Sequence, residues 1–203
     1  MAARVEFSTY SNPIKLNVNR IIEKTAAEGP GMRLCIWLQG CSRHCPGCFA
    51  RDTWSFEERE MHTPQEVINM AGEDVEGITI LGGEPLEQME GLLELVRLAK
   101  DKALSVILFT GYKYEEVKQT KPDLLKYIDV LIDGEYVQEK RSFERPLVGS
   151  ANQNFIFLTD RYNMDSFPQN SIEVRIGKDG KTVFNGMGDF EVLREKMGKN
   201  NEI

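Results

Sequence analysis

The stretch Gly77-Ile78-Thr79-Ile80-Leu81-Gly82-Gly83-Glu84-Pro85 decides how this chain folds. Gly77 to Leu81 is a short apolar run of strand length, and the glycines and proline behind it end it abruptly. Beyond Pro85 the period changes. Met89, Leu92, Leu93, Val96 and Ala99 recur at steps of three and four, the spacing of one helix face, so an amphipathic helix is expected from about Leu86 to Lys100. Leu104 to Phe109 is apolar again and stops at Thr110-Gly111-Tyr112. Strand, helix and strand in that order predict parallel pairing.

The same rhythm extends both ways. Arg33–Leu38 reads as a buried strand behind the tight turn Gly29-Pro30-Gly31, and the residues before that turn read as irregular. Thr63, Pro64 and Glu66 read as an N-cap, a first helical position and a first-turn acid, for a helix to about Ala71. A short helix is expected near Tyr114–Gln119, a strand at Ile128–Ile132 ending in Asp133-Gly134, and another at Phe155–Leu158. The tail changes character: Ile172–Ile176 and Thr182–Phe184 read as an antiparallel hairpin, with a last helix near Asp189–Met197. The class is α/β, as a barrel or an open sheet. Polar and glycine-rich turns recur at the C-terminal ends of the strands, the rim on which such folds carry their sites.

The chain has 203 residues, 25 Lys+Arg against 32 Asp+Glu and a formal net charge of −7. This acidic balance argues against nonspecific binding to nucleic acid or to an anionic membrane. The N-terminus shows no secretory h-region and the apolar runs are far short of a span, so a cytoplasmic protein is expected. All 4 cysteines fall between Cys35 and Cys48. A disulfide scaffold would spread them along the chain, whereas clustered thiols in a reducing compartment point to metal or catalysis.

Three of them form the run Cys41-Ser42-Arg43-His44-Cys45-Pro46-Gly47-Cys48. Thiolates at this spacing in a loop converge on one metal centre, and soft sulfur selects zinc, copper(I) or an iron–sulfur cluster. A fourth ligand is not evident: Cys35 lies within a strand, where a free cysteine is a small core residue, and His44 sits between two ligands. Three cysteines around a [4Fe–4S] cube leave one iron open to bind substrate. The plainer alternative is a structural zinc or closed cluster that only staples the fold.

The cysteine spacing resembles the cluster motif of the radical S-adenosylmethionine (SAM) enzymes. The wider set is similar to one branch of them, the activating proteins of glycyl radical enzymes. It comprises Gly29-Pro30-Gly31-Met32-Arg33, Gln39-Gly40-Cys41, Cys45-Pro46-Gly47-Cys48-Phe49, Thr53-Trp54, Gly82-Gly83-Glu84-Pro85, Thr110-Gly111-Tyr112, the run from Asp129 to Gly134 and Gly149-Ser150-Ala151-Asn152-Gln153. The resemblance spans about Gly29 to Leu158. It implies one radical SAM domain over 1–203, with its core at about 29–160 and a C-terminal extension at about 161–203. The implied fold is an incomplete (β/α) TIM-like barrel with a small hairpin-helix extension.

The implied cofactors are a [4Fe–4S] cluster on Cys41, Cys45 and Cys48 with one open iron, and SAM. Gly82, Gly83 and Glu84 would bind its amino end, Thr110 would hydrogen-bond it or cap the next helix, and Gly47 and Phe49 would flank adenine and cluster. Plain core packing of Phe49 is the rival reading. The implied activity is reductive cleavage of SAM to generate a glycyl radical on a partner enzyme, with anaerobic ribonucleotide reductase expected and an electron donor such as flavodoxin or ferredoxin. A peptide or small-molecule substrate, and a non-catalytic metal-stapled binding module, are the competing expectations.

Overall fold

The computed structural model describes residues 13–180 and 182–189. Strand β1 (Leu16–Thr25) lies antiparallel to β2 (Arg33–Leu38), and β3 (Glu60–His62) pairs with the other side of β1. Helix α1 (Pro64–Asn69) leads to β4 (Gly77–Gly82), and α2 (Met89–Asp101) to β5 (Ser105–Phe109). The short α3 (Tyr114–Thr120) and α4 (Pro122–Leu125) lead to β6 (Val130–Asp133), after which a long loop reaches β7 (Asn154–Phe157). These seven strands form one sheet in the order β3-β1-β2-β4-β5-β6-β7. Its centre, β2-β4-β5-β6, is parallel. β8 (Ile172–Ile176) and β9 (Thr182–Gly186) make a separate antiparallel hairpin. No helix among the described residues is long and apolar enough to cross a membrane.

The chain is thus mixed α/β, with the strand–helix–strand units and the tail hairpin where the periodicity placed them. Thr63 caps α1 through a reciprocal capping box with Glu66, and Pro64 is its first residue. The helix expected near Asp189–Met197 lies, after Asp189, outside the described residues.

Three expectations change. The stretch before Gly29, read as irregular, contains the ten-residue β1. Its register with β2 shifts between Val18 and Arg20. Leu16, Val18 and Ile21 therefore pack with the helices, whereas Ile22 packs with Cys35 and Trp37 on the other face. A bulge that switches faces destroys the simple alternation by which a strand is recognised. Second, β7 runs antiparallel to β6. No crossover helix joins them, only a loop with one 3-10 turn at Gln138–Lys140, so parallel return is not available. Third, the helix expected from Leu86 begins as a 3-10 turn, Pro85–Gln88, and becomes α2 only at Met89. Gln88 leaves helical geometry because its side chain bridges three backbone groups, Asn17 N at 2.7 Å, Asn17 O at 2.9 Å and Gln39 O at 2.8 Å.

Both faces of the sheet are covered. Val67 and Ile68 of α1, Leu92, Leu95 and Val96 of α2 and Leu124 of α4 pack on one face against Leu34, Ile36, Ile78, Ile80, Val106 and Leu108. The opposite face carries Ile107, Val130 and Ile132, covered by Tyr162 and Phe167 from the segment after β7. At the N-terminal end of the parallel strands the guanidinium of Arg33 is fully buried. It donates to Ile78 O at 2.6 Å, Thr79 Oγ1 at 2.6 Å, Ser105 Oγ at 3.0 Å and Pro30 O at 3.1 Å. These are neutral acceptors, and they sit at the end of the strands away from the cysteines.

A second buried charge joins the tail to the sheet. Glu28 accepts from the Gly186 amide at 2.7 Å, and burial pushes its carboxyl up from 4.5 to about 7. A raised carboxyl stabilises the fold fully below its unfolded value and loses that contribution as pH rises through its folded value. Stability is therefore expected to fall between about pH 4.5 and about pH 7, with roughly 3 kcal/mol attached to this group. Glu28→Gln should flatten that part of a urea-unfolding pH profile; an unchanged slope would remove Glu28 as its source.

Candidate functional site

The loops that leave β2, β4, β5 and β6 at their C-terminal ends surround one cavity of about 870 Å³. Cys41, Cys45, Cys48, Gly47 and Phe49 line it from the loop after β2, Gly82, Gly83 and Glu84 from the end of β4, and Thr110 from the end of β5. Every site residue expected from the sequence therefore faces the same space.

The cysteine loop is held by backbone first. Gly40 N donates to Thr53 O at 2.7 Å, Cys41 N to Trp54 O at 3.1 Å and Glu84 N to Gly40 O at 2.9 Å. His44 turns to stack on Trp54, with ring centroids 4.7 Å apart, rather than lining the cavity. Arg43, midway between two thiols, reaches across the rim: its guanidinium lies 4.8 Å over the Tyr112 ring and bonds Glu135 at 3.2 Å. Its Nε is buried with no hydrogen-bond partner among the described residues.

The two glycines after β4 serve the chain before any ligand. Gly82 has φ +112°, and a Cβ there would lie 2.4 Å from Leu38 N; one on Gly83 would lie 2.1 Å from Gly40 O. The chain leaving β2, not a ligand, occupies the space that a side chain would take at either glycine. Both residues still line the cavity.

Glu84 is 1% exposed, and its carboxylate is fully engaged. Oε1 accepts from Leu86 N at 3.0 Å and Thr110 Oγ1 at 2.8 Å, and Oε2 accepts from Gly111 N at 2.8 Å. Burial pushes this carboxyl above its ordinary value, against the pull of those hydrogen bonds. Glu84 thus clamps the end of β4 to the turn after β5, and Thr110 is one jaw of the clamp. Phe49 is 45% exposed, so it is not a core residue. It stands at the rim with its edge to Tyr136 at 5.2 Å. Gly47 has φ +76°, with the Gln138 side chain 2.7 Å from where its Cβ would lie. Gln153 also lines the cavity, and its amide oxygen holds Gly149 N at 3.1 Å and Ser150 N at 3.2 Å.

Among the described residues no three His, Cys, Asp or Glu side chains are already drawn together as a ligand set. The three thiols share one wall, and Cys45 and Cys41 add to the burial that raises the Cys48 thiol. Loop thiols of this kind close on a metal as it binds, because only the metal offsets the cost of gathering thiolates. The donor set is all sulfur and fits an iron–sulfur cluster. Cys35 cannot complete it: it is fully buried in β2 beside Ile22 and Trp37, and burial holds its thiol well above the usual value. The sequence reading missed Arg43, although it sits inside the cysteine motif. It also missed Arg20, Trp37, Glu28 and the β9 residues Phe184 to Asn185, which line the cavity and carry no motif.

Residues 27–156 match the family model described as a 4Fe-4S single cluster domain, the class that three loop thiols beside a walled cavity define. The chain is 33% identical to the anaerobic ribonucleoside-triphosphate reductase-activating protein of Enterobacteria phage T4, over 71% of this chain and 96% of that one. It is 31% identical to the protein of the same name from Vibrio cholerae and 28% to that from Escherichia coli K12, each over 68% of this chain and 96% of the relative. The solved structure of QueE from Escherichia coli overlaps 48% of this chain and 53% of its own, at 21% identity and a TM-score of 0.40, too little to bear on the fold. The chain belongs to the 4Fe-4S single-cluster family and, within it, to the anaerobic ribonucleoside-triphosphate reductase-activating proteins.

The clamp has a direct test. Glu84→Gln sets an amide donor against one of the three groups that now donate to the carboxylate. Urea unfolding of the metal-free protein under argon should show a loss of about 1–3 kcal/mol. Wild-type stability in the variant would mean that the two strand ends are held by something else.

Proposed function

We propose that this protein is a radical SAM activase that generates a glycyl radical on an anaerobic ribonucleotide reductase. The observation that carries the reading is the meeting of Cys41, Cys45 and Cys48 with the Gly82–Glu84 turn and Thr110 around one cavity at the parallel strands' C-terminal rim. The names of its relatives support the choice of partner.

In this reading Cys41, Cys45 and Cys48 hold the cluster and leave one iron for the cofactor. The open sheet, whose edge strands β3 and β7 are not paired with each other, supports reading the fold as an incomplete barrel within a single domain that includes the tail. When bound, the cluster and SAM supply a one-electron reduction that breaks a carbon–sulfur bond and so a group able to take hydrogen from a glycine. The chain's own part is positional. The end of β4 and the Thr110 turn, locked together by Glu84, form one wall of the cofactor site, and Gly47 and Phe49 form the rim. The unpartnered Nε–H of Arg43 suits the carboxylate of an amino-acid cofactor. Tyr136 and the exposed Phe49 shield the mouth while leaving room for a protein loop. The electron comes from a small donor such as flavodoxin or ferredoxin, and the free thiols support a reducing, cytoplasmic compartment.

Anaerobic reconstitution followed by dithionite and SAM should yield 5′-deoxyadenosine above a control without protein. Adding the reductase should give a glycyl-radical signal by electron paramagnetic resonance (EPR). No 5′-deoxyadenosine would overturn the radical SAM reading; 5′-deoxyadenosine with no radical on the reductase would overturn the partner.

A further inference from the structure

One wall of the cavity is built outside the family match at residues 27–156. It consists of Arg20 on β1 and the stretch from Phe184 to Met187 at the end of the hairpin. The hairpin is docked there by specific bonds. Gly186 N donates to Glu28 at 2.7 Å, Ala26 N to Glu173 at 2.9 Å and Asn185 Nδ2 to Thr25 Oγ1 at 2.9 Å. Arg20 is on this wall because of the β1 bulge, which turns it onto the cavity side, where its guanidinium lies 4.2 Å over the Trp37 ring.

Two polar atoms of this wall are buried with no hydrogen-bond partner among the described residues, Arg20 Nε and Asn185 Oδ1. Asn185 is 2% exposed. Its Nδ2 donates to Thr25 Oγ1, whose own hydroxyl bonds Glu173, and faces the Glu28 carboxyl, which leaves the oxygen as the free atom. A buried donor and a buried acceptor each carry a desolvation penalty until a partner arrives. Both residues line the cavity next to Glu28, and a group that satisfies both offers an acceptor and a donor. A carboxylate brings acceptors only and would face the Asn185 oxygen, Glu28 and Asp52. An ammonium brings donors only and would face Arg20. One residue of an extended chain, whose own N–H and C=O project to the same side of the backbone, satisfies both.

We propose that Arg20 and Asn185 form a subsite for the backbone of one extended residue of the protein substrate. Arg20 Nε–H donates to its carbonyl and Asn185 Oδ1 accepts from its N–H. The inference rests on the activase reading and adds to it where the substrate chain is gripped. Two further observations favour substrate over cofactor. Both residues lie outside the domain shared by the single-cluster family, whose common element is the cluster. The cavity, at about 870 Å³, is near the upper end for a small-molecule site of about 300–1,000 Å³ and leaves room for a chain segment beside a cofactor. Arg20 and Asn185 are positioning residues in this scheme and touch no reacting atom.

The test uses full-length protein reconstituted with iron and sulfide, with Asn185→Ala, Arg20→Met and the pair. Near-ultraviolet and far-ultraviolet circular dichroism confirms folding, and Arg20→Met alone, which removes the donor, carries the test if Asn185→Ala is unstable. Two readouts are taken: SAM cleavage without a partner, and glycyl-radical formation against the concentration of an anaerobic ribonucleotide reductase that the wild type activates. The expected result is partner-free cleavage and SAM affinity within about two-fold of wild type. The reductase concentration for half-maximal activation should rise about ten-fold or more, with the maximal rate much less affected. A loss of SAM affinity instead would place the cofactor's ribose hydroxyls in this subsite and overturn the proposal. Unchanged partner dependence would overturn it too, leaving both residues structural. Failure of the wild type to cleave SAM would count against the activase reading itself and is read separately.

Discussion

Leu38 and Gly82 face each other in parallel register, at a point where a Cβ on residue 82 would lie 2.4 Å from the Leu38 amide nitrogen. The rest of the site depends on that approach. It forces the segments after β2 and β4 to leave the sheet at one level and side by side. The cysteine loop then runs over the Gly83 amide, which donates to Leu38 O at 2.8 Å, and over the Glu84 amide, which donates to Gly40 O. Parallel strands bring their C-terminal ends to one rim by construction. The missing side chains at Gly82 and Gly83 set how close the thiols come to that rim.

Buried charge fixes both ends of this arrangement. At the N-terminal end of the strands Arg33 ties β2, β4 and β5 through carbonyl and hydroxyl acceptors. At the C-terminal end Glu84 ties β4 to β5 through three donors. Each is expensive to desolvate and each is nearly saturated with hydrogen bonds, the condition under which a buried ion specifies one geometry. Of the four buried side-chain atoms left unsatisfied among the described residues, three belong to residues that line the cavity, Arg43, Arg20 and Asn185; the fourth is Asn152 Oδ1. The molecule thus separates the charges that build the rim from polar atoms held ready for ligands.

Much of this was legible in sequence because it rests on local rules. The β4–α2–β5 unit followed from a change of period, α1 from Thr63-Pro64 and Glu66, and the proposal of a metal centre from three spaced cysteines. What escaped reading has physical causes. The bulge between Val18 and Arg20 moves β1 from one face to the other in mid-strand, so no single alternation runs through it. Strand direction at β7 depends on the lack of a crossover helix, which apolar runs do not report. Glu84 was legible as a site residue but not as a clamp, because its partners Thr110 and Gly111 are distant in sequence and its other neighbours are backbone. The wall built from Arg20 and Asn185 joins residues from opposite ends of the chain, with no motif at either.

In the proposed site three thiols, and no fourth, hold a cluster whose remaining iron is free for a cofactor. Mössbauer spectroscopy of the reconstituted protein, with and without SAM, resolves the iron sites. One iron site alone should change its parameters when SAM is added, in the wild type and equally in Cys35→Ala. Irons that stay equivalent on adding SAM, or a cluster lost in Cys35→Ala, would contradict it.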